Sequence, residues 1–382
     1  MKRKADIVII GGGINGCALA YRLAKQKKTV VLLEKNYLSS GATGSCGAGI
    51  RQQWSTKENI ELAMHSVKMF EGLNTELNAD IEFRQGGYLI INHTEKELKQ
   101  SKQNVALQRS LNLDVEIVDV SDIQRIVPIL DVKAIQAIGA TFCPTDGHAN
   151  PFKTTFAFAR ASEKHGASLY THTTVKQIKK KKDYFYEIQT DKGTLTSTWV
   201  INAAGVWSKD LAKQVSIDLP NTPFRKEAMA TERLQPLFDA MVISFRDGIY
   251  FSQQAEGQIV GGIPIPEERS GFRFMPTYAF LEHMSHTLTR YAPILKQVNM
   301  LRHWTGFYDV TLDARPILGE DEHTPGFVHC HGFSGHGFML APMVSKLISD
   351  QIIDKKTSSV LQRLSLKRFE NPDLIQEQNV VG

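Results

Sequence analysis

Apolar residues in this chain follow two rhythms, and the switches between them mark out its elements. Residues 5–35, "ADIVIIGGGINGCALAYRLAKQKKTVVLLEK", open on a short β-rich run and close on a second β-rich run that ends in an acid. Between them lie a glycine turn and an amphipathic helical stretch. Residues 59–77 place Ile60, Met64, Val67, Phe70 and Leu73 on one stripe, which predicts a core-facing helix with His65 beside it in a structural position. "FRQGGYLIINHT" at 83–94 reads as a strand after a Gly-Gly turn, and 97–111 reads as a helix. Asn150 as cap and Pro151 at the first position predict another helix, which Gly166 ends. His148, in the loop before it, is read as a turn residue in preference to a catalyst. Residues 167–178 are strand-like, and the lysine run 179–182 marks a solvated hairpin edge, where lysine discourages aggregation between strands. From 216 to about 309 the short strands "AMATERL", "MVISFRDGIYFSQQ" and "QIVGGIPI" and a helix near 276–291 predict an α+β region unlike the start of the chain.

Length and charge narrow the picture. At 382 residues, two domains are the expectation. The net charge of +5 is spread thinly, with no basic tract interleaved with aromatics, which argues against nucleic acid as the main partner. Cys17, Cys46, Cys143 and Cys330 lie far apart, without metal-ligand spacing, and read as reduced thiols of a cytoplasmic protein. The opening copies a signal peptide superficially, but its glycine spacing explains it better. No apolar stretch approaches the roughly 18 residues of a membrane span.

That spacing carries the first candidate chemistry. Gly11, Gly13 and Gly16 form GxGxxG between the first strand and its helix, and Glu34 follows eighteen residues later at the end of the second strand. Gly11 permits the tight turn, Gly13 the approach of a pyrophosphate, and Gly16 the close packing of helix on strand. The pyrophosphate rests on the helix N-terminus, and Glu34 accepts the ribose hydroxyls. FAD and NAD both suit such a unit. The absence of a second GxGxxG points to one resident cofactor, with electrons entering from an organic substrate. The small-residue loop at 35–54, ending at Arg51 and Trp54, suits backbone wrapped around a ligand. "CHGFSGHGFMLAP" at 330–342 reads as a glycine-rich helix entrance.

The first fingerprint, "VINAAGVWS" at 200–208, "DARPILG" at 313–319 and "GFSGHGFM" at 332–339 together resemble the flavin-dependent amino-acid oxidoreductase family, which includes D-amino acid oxidase, glycine oxidase and sarcosine oxidase. Within it, "GCGAGIRQQW", "PTDGHANPF" and "GFSGHGFMLAP" look closest to the β subunit of heteromeric dye-linked L-proline dehydrogenases, with the sarcosine oxidase β subunit a near relative. The resemblance implies an α/β fold with a Rossmann-like FAD-binding domain assembled from 1–82, 143–215 and 310–382. An α+β substrate domain with an antiparallel sheet takes 83–142 and 216–309. It also implies hydride removal from the carbon beside an amine nitrogen, with noncovalent FAD, FMN at a subunit interface, a larger α subunit and a small iron–sulfur subunit.

Site residues carry over by position. Ile14, Asn15 and Lys35 join the fingerprint residues as cofactor contacts. Ser40, Thr43 and Gly44 match phosphate and isoalloxazine contacts, and Val175 matches the residue whose backbone meets the adenine. Ala203, Ala204 and Gly205 match the small turn near the pyrophosphate. Gly335 and Gly337 let the backbone approach the flavin, Ser334 and His336 are polar contacts, and Phe338 and Met339 begin the helix there. Arg51 matches the carboxylate-binding arginine, its alternative being a structural ion pair. Tyr250 and Tyr308 line the substrate pocket or serve as ordinary packing. Three departures stand out against the monomeric sarcosine oxidases. Met339 replaces a second cation, glycines in "QIVGGI" replace an oxygen-activating lysine, and Gly306 lies near the position of the flavin-bonding cysteine. With the cysteines elsewhere, dissociable FAD is expected. Pro151 stands where the sarcosine oxidase β subunit bonds FMN through histidine.

Overall fold

The computed structural model describes residues 1–181, 185–266, 268–371 and 373–379. The chain visits two large sheets in turn. First come β1 (Lys4–Ile10), α1 (Ile14–Lys25), β2 (Val30–Leu33), β3 (Gly49–Ile50) and α2 (Lys57–Leu77). β1 and β2 pair in parallel, as a helical crossover requires, and β2 is buried along its whole length. The chain then leaves for β4 (Tyr88–Asn92), α3 (Glu95–Ser110), β5 (Glu116–Val118), α4 (Val120–Ile126) and β6 (Gly139–Cys143). A capping box, Thr94 with Glu97, starts α3.

The third stretch holds β7 (Gly147–His148), α5 (Pro151–Lys164), β8 (Ser168–Tyr170), β9 (Val175–Lys180), β10 (Tyr186–Thr190), β11 (Gly193–Asn202) and α6 (Ser208–Lys213). Asn150 caps α5 by accepting the N–H groups of Phe152 and Lys153. His148 is not in a loop: it pairs with Gly49 in a short β3–β7 ribbon and is buried. Residues 167–178 form two strands, not one, and the break between β8 and β9 brings Thr173 and Thr174 to the site. β9 pairs with β10 at the sheet margin, with Lys179 and Lys180 exposed on it; Lys182 lies outside the described residues.

The fourth stretch returns to the second sheet with β12 (Thr222–Arg233), β13 (Met241–Ser244), β14 (Tyr250–Gln253), β15 (Gln258–Gly262), α7 (Tyr278–Tyr291) and β16 (Met300–Val310). Last come β17 (Ile317–Glu320), β18 (Phe327–His331), α8 (Gly337–Asp354) and α9 (Ser359–Arg363). The first sheet runs β17-β18-β11-β1-β2-β8, with β10 and β9 added to β11. The second runs β16-β12-β15-β14-β13-β4-β6-β5. Its pairs are antiparallel except β4 with β13. Those two strands come from separate visits of the chain, so no hairpin dictates their direction. Helices α1, α2, α5 and α8 share a core with the first sheet around Trp54, Phe70 and Phe158, while α4 and α7 cover the second around Phe251 and Phe280. No described helix is long and apolar enough to cross a membrane.

Candidate active site

A cavity of about 390 Å³ opens at the C-terminal ends of β1, β2 and β11, the place where open α/β sheets bind ligands. The cap of α1 is Gly13, which has no side chain to offer, and the Ile14 N–H donates instead to Thr43 Oγ1 at 3.1 Å. Asn15 Nδ2 donates to the Gly337 carbonyl at 3.0 Å, tying the start of α1 to the start of α8. α8 also lacks a side-chain cap. Two helix starts therefore face one cavity, and their N–H groups and dipoles favour an anion there. Asn15 Oδ1 is buried and has no partner among the described residues.

Glycine is required where these pieces touch. Gly11 has φ +116°, and a Cβ on it would stand 2.3 Å from the Ala203 carbonyl oxygen. Glu34 is fixed at the cavity edge, its carboxylate accepting the Gly12 N–H at 2.7 Å and the Asn36 N–H at 2.8 Å. On the far side, Asp309 accepts the Gly332 N–H at 2.7 Å and holds the late glycine loop in place. Burial pushes this carboxyl up to about 6. Gly335, at φ +95°, lies so close to the Tyr308 ring that a Cβ would stand 2.5 Å from it.

A smaller cavity of about 80 Å³ shares Cys46, Tyr308, Gly335 and Phe338 with the larger one. Arg51, Tyr88, Met241, Ile243, Tyr250, His336 and Met339 complete its main wall. Arg51 is 3% exposed, with its guanidinium 3.9 Å over the Trp54 ring. Nη2 donates to the Asn379 carbonyl at 2.6 Å, while Nη1 is buried with no partner among the described residues. No described carboxylate comes within ion-pair distance of it, and burial depresses its pKa. Burial, then Arg51, drive His336 well below the ordinary histidine range, so the imidazole is neutral. Burial pushes the Tyr308 phenol up to about 12 and raises those of Tyr88 and Tyr250. At neutral pH the cavity thus holds one fixed cation among neutral phenols.

The structure gathers most of the residues singled out from sequence. Gly11, Gly13, Ile14, Asn15, Glu34, Lys35, Ser40, Thr43, Val175, Ala203, Ala204, Gly205, Ser334, Gly335, Gly337 and Phe338 line the larger cavity, and Arg51, Tyr250, Tyr308, His336 and Met339 the smaller. Three glycines do not line either. Gly16 packs on the Gly11 carbonyl, Gly44 on Ser39 and Phe152, and Gly306 on Ser45. Ser334 turns its hydroxyl to the Thr311 N–H at 3.2 Å. Lys35 sits 3.2 Å over Trp207, a cavity residue that lies inside the "VINAAGVWS" motif but was given no site role from the sequence. The cysteines are not all elsewhere: Cys46 and Cys330 line the larger cavity. Burial raises both thiols, Cys46 to about 11, which keeps them protonated and poorly nucleophilic.

A mixed sheet whose parallel strands β18, β11, β1 and β2 lead into a phosphate-ready helix start, joined to a small second chamber, has the build of a dinucleotide-dependent oxidoreductase. Residues 6–351 match the family described as DAO, FAD dependent oxidoreductase, and the chain belongs to that family. It is 28% identical over 386 residues to the sarcosine oxidase subunit beta of an Arthrobacter species, covering 100% of this chain and 95% of that one. It is 27% identical to the glycine oxidase of Bacillus subtilis, covering 94% and 95%. Among solved structures, L-proline dehydrogenase from P. horikoshii superposes with a TM-score of 0.93 at 34% identity, covering 98% of this chain and 100% of that one.

The residues present fit FAD. Two uncapped helix starts suit a pyrophosphate, the unpartnered Asn15 Oδ1 awaits a donor, and Glu34 stands at the edge where a ribose would lie.

Proposed function

We propose that the protein oxidises the C–N bond of a small secondary amino acid, such as proline, hydroxyproline or sarcosine, to its imine. The observation that carries this reading is Arg51, a buried guanidinium whose Nη1 has no partner among the described residues, in a cavity joined to the cofactor cavity. A buried, unpaired charge is costly, and a substrate carboxylate offsets that cost through charge-assisted hydrogen bonds. Size is compatible with a small amino acid: one water-sized group takes roughly 10–15 Å³, and the cavity of about 80 Å³ opens into the larger one.

Arg51 fixes the carboxylate, while the rings of Tyr88, Tyr250 and Tyr308 enclose the remainder and exclude water. Pairing with Arg51 also cancels the carboxylate's hold on the ammonium proton, which favours the free amine. The ammonium proton passes to solvent as the substrate enters; the amine lone pair then forms the C=N bond as a hydride leaves the adjacent carbon, and the resulting iminium loses its N–H proton to solvent after release. FAD, when bound, supplies the acceptor for that hydride.

Dehydrogenase activity is favoured over oxidase activity. Among the described residues lining the two cavities the permanent cations are Arg51 and Lys35, and Lys35 is engaged with Trp207. Lys226 approaches the Tyr308 ring to 5.5 Å but lines neither cavity. With Arg51 paired to the substrate carboxylate, no further side-chain cation among the described lining residues of the smaller cavity stands ready to stabilise developing superoxide.

A role as the catalytic β subunit of a heteromeric complex, with α and iron–sulfur subunits and an interfacial FMN, is supported by similarity to chains of the sarcosine oxidase subunit beta type. It is also supported by the exposed Phe272 and Phe274, which continue an aromatic stack from Trp207 at the cavity edge. The free cysteines support a reducing, cytoplasmic compartment.

Anaerobic mixing of the flavin-loaded protein with L-proline, D-proline, hydroxyproline, sarcosine and glycine tests the reading. Bleaching of the visible flavin band by a secondary amino acid, with slow recovery in air and fast turnover with a dye, is expected. A flavin reduced by dithionite but by none of these would overturn the substrate class, and rapid peroxide formation would overturn the dehydrogenase assignment.

A further inference from the structure

The segment 373–379 folds back across the start of α2, and one side chain fastens it. Glu377 is 4% exposed, and its carboxylate accepts six hydrogen bonds, five of them from the start of α2. Oε1 takes the Ser55 N–H at 2.9 Å and the Ser55 hydroxyl at 2.5 Å. Oε2 takes the Thr56 N–H at 3.2 Å, the Thr56 hydroxyl at 2.8 Å and Asn59 Nδ2 at 3.0 Å. α2 has no side-chain cap from its own Thr56, so Glu377 supplies from a distance the anion that a helix start favours.

The fastening is transmitted to Arg51 within two residues. The Gln378 N–H donates to Ser55 Oγ at 3.0 Å, and the Asn379 N–H donates to Glu377 Oε1 at 3.0 Å. Asn379 Nδ2 donates to the Gln53 carbonyl at 3.2 Å, and its Oδ1 accepts from Asn104 at 3.4 Å. This leaves the Asn379 carbonyl 2.6 Å from Arg51 Nη2, the hydrogen bond found for that guanidinium. Long side chains lose rotamer entropy when held in one pose. A carbonyl fixed in advance bears that cost before substrate arrives, and it occupies one side of the guanidinium only.

We propose that Glu377 is a positioning residue for Arg51: by clamping 373–379 onto α2 it holds the Asn379 carbonyl against Nη2 and leaves Nη1 for the substrate carboxylate. The proposal rests on the reading of Arg51 as the carboxylate-binding residue.

Full-length, flavin-loaded Glu377→Gln and Asn379→Gly test it, with Arg51→Met as reference. Two quantities are read: KM against kcat for the amino acid that bleaches the flavin, and the Kd of acetate by calorimetry, which needs no turnover. Glu377→Gln is expected to raise KM and the acetate Kd about tenfold, the effect of roughly one charged hydrogen bond, with kcat and flavin content held. Asn379→Gly keeps the carbonyl but loses its two side-chain anchors, away from the helix cap, and is expected to raise both about threefold. It decides the matter if Glu377→Gln does not fold. A Glu377→Gln protein that is less heat-stable but keeps its KM and acetate affinity would show a helix cap alone and overturn the proposal. If Arg51→Met itself leaves both constants unchanged, the carboxylate reading of Arg51 fails instead.

Discussion

The two joined cavities are built from different materials. The larger is walled mainly by backbone: glycine turns, two helix starts and the ends of parallel strands. The smaller is walled by side chains, Arg51, three tyrosines, His336 and Met339, delivered by strands and loops that lie far apart in the chain. A backbone site holds what many dinucleotide enzymes share, and its demands are steric. A side-chain site decides what reacts, and its demands are electrostatic. Substitutions in the first region should therefore remove the cofactor, and substitutions in the second should spare it.

The largest effect is expected at Gly11. With φ +116° and only 2.3 Å between a new Cβ and the Ala203 carbonyl oxygen, Gly11→Ala forces β1 and the 203–205 turn apart. Left-handed strain alone costs roughly 1–3 kcal/mol. With the clash added, FAD affinity should fall at least about 100-fold, read as flavin content after dialysis and as the Kd on refilling. Retention of full flavin by Gly11→Ala would break the contrast.

Arg51→Met comes next and acts on the other region. Removing one partner of a buried charge pair costs about 2–5 kcal/mol, so KM should rise on the order of 100-fold while FAD stays bound. The spectrum and flavin content provide the control. Loss of flavin along with KM would show that the cavities are one electrostatic unit and erase the distinction between them.

The same contrast governs how much could be read beforehand. GxGxxG and Glu34 were legible because their constraints are local: strand, turn, helix and acid follow one another within thirty residues. Arg51 was legible only through resemblance, and Tyr88, Met241 and Ile243 not at all, since on β4 and β13 they read as ordinary strand residues. Their convergence depends on the parallel β4–β13 pairing between remote segments, which no local pattern announces. Gly44 and Gly306 teach a related lesson. A glycine says that a side chain is excluded, not what excludes it, and here Ser39, Phe152 and Ser45 do so rather than a ligand. Glu377 lies in a polar stretch without periodicity, and its role exists only once Ser55 and Thr56 stand opposite it.

The smallest effect sharpens the boundary between the regions, at the β3–β7 ribbon that leads directly into Arg51. His148 pairs with Gly49 there, and burial, followed by the charge of Arg84, lowers its pKa from 6.5 to about 4. Between those values the unfolded chain binds the proton and the folded one does not, so stability rises with pH and is lost as pH falls from 6.5 towards 4. Asp146, whose carboxyl burial pushes up to about 6, contributes with the opposite sign over an overlapping range. The two offset each other in the wild type, and only a difference measurement isolates the histidine. His148→Asn lacks the penalty: on going from pH 7.5 to pH 5, the wild-type thermal midpoint should fall further than the variant's by roughly 2 °C, the equivalent of about 2 kcal/mol in a chain of this size. Parallel shifts in the two proteins would mean that His148 titrates normally. The ribbon would then open to water, and the dry wall behind Arg51 would not extend that far.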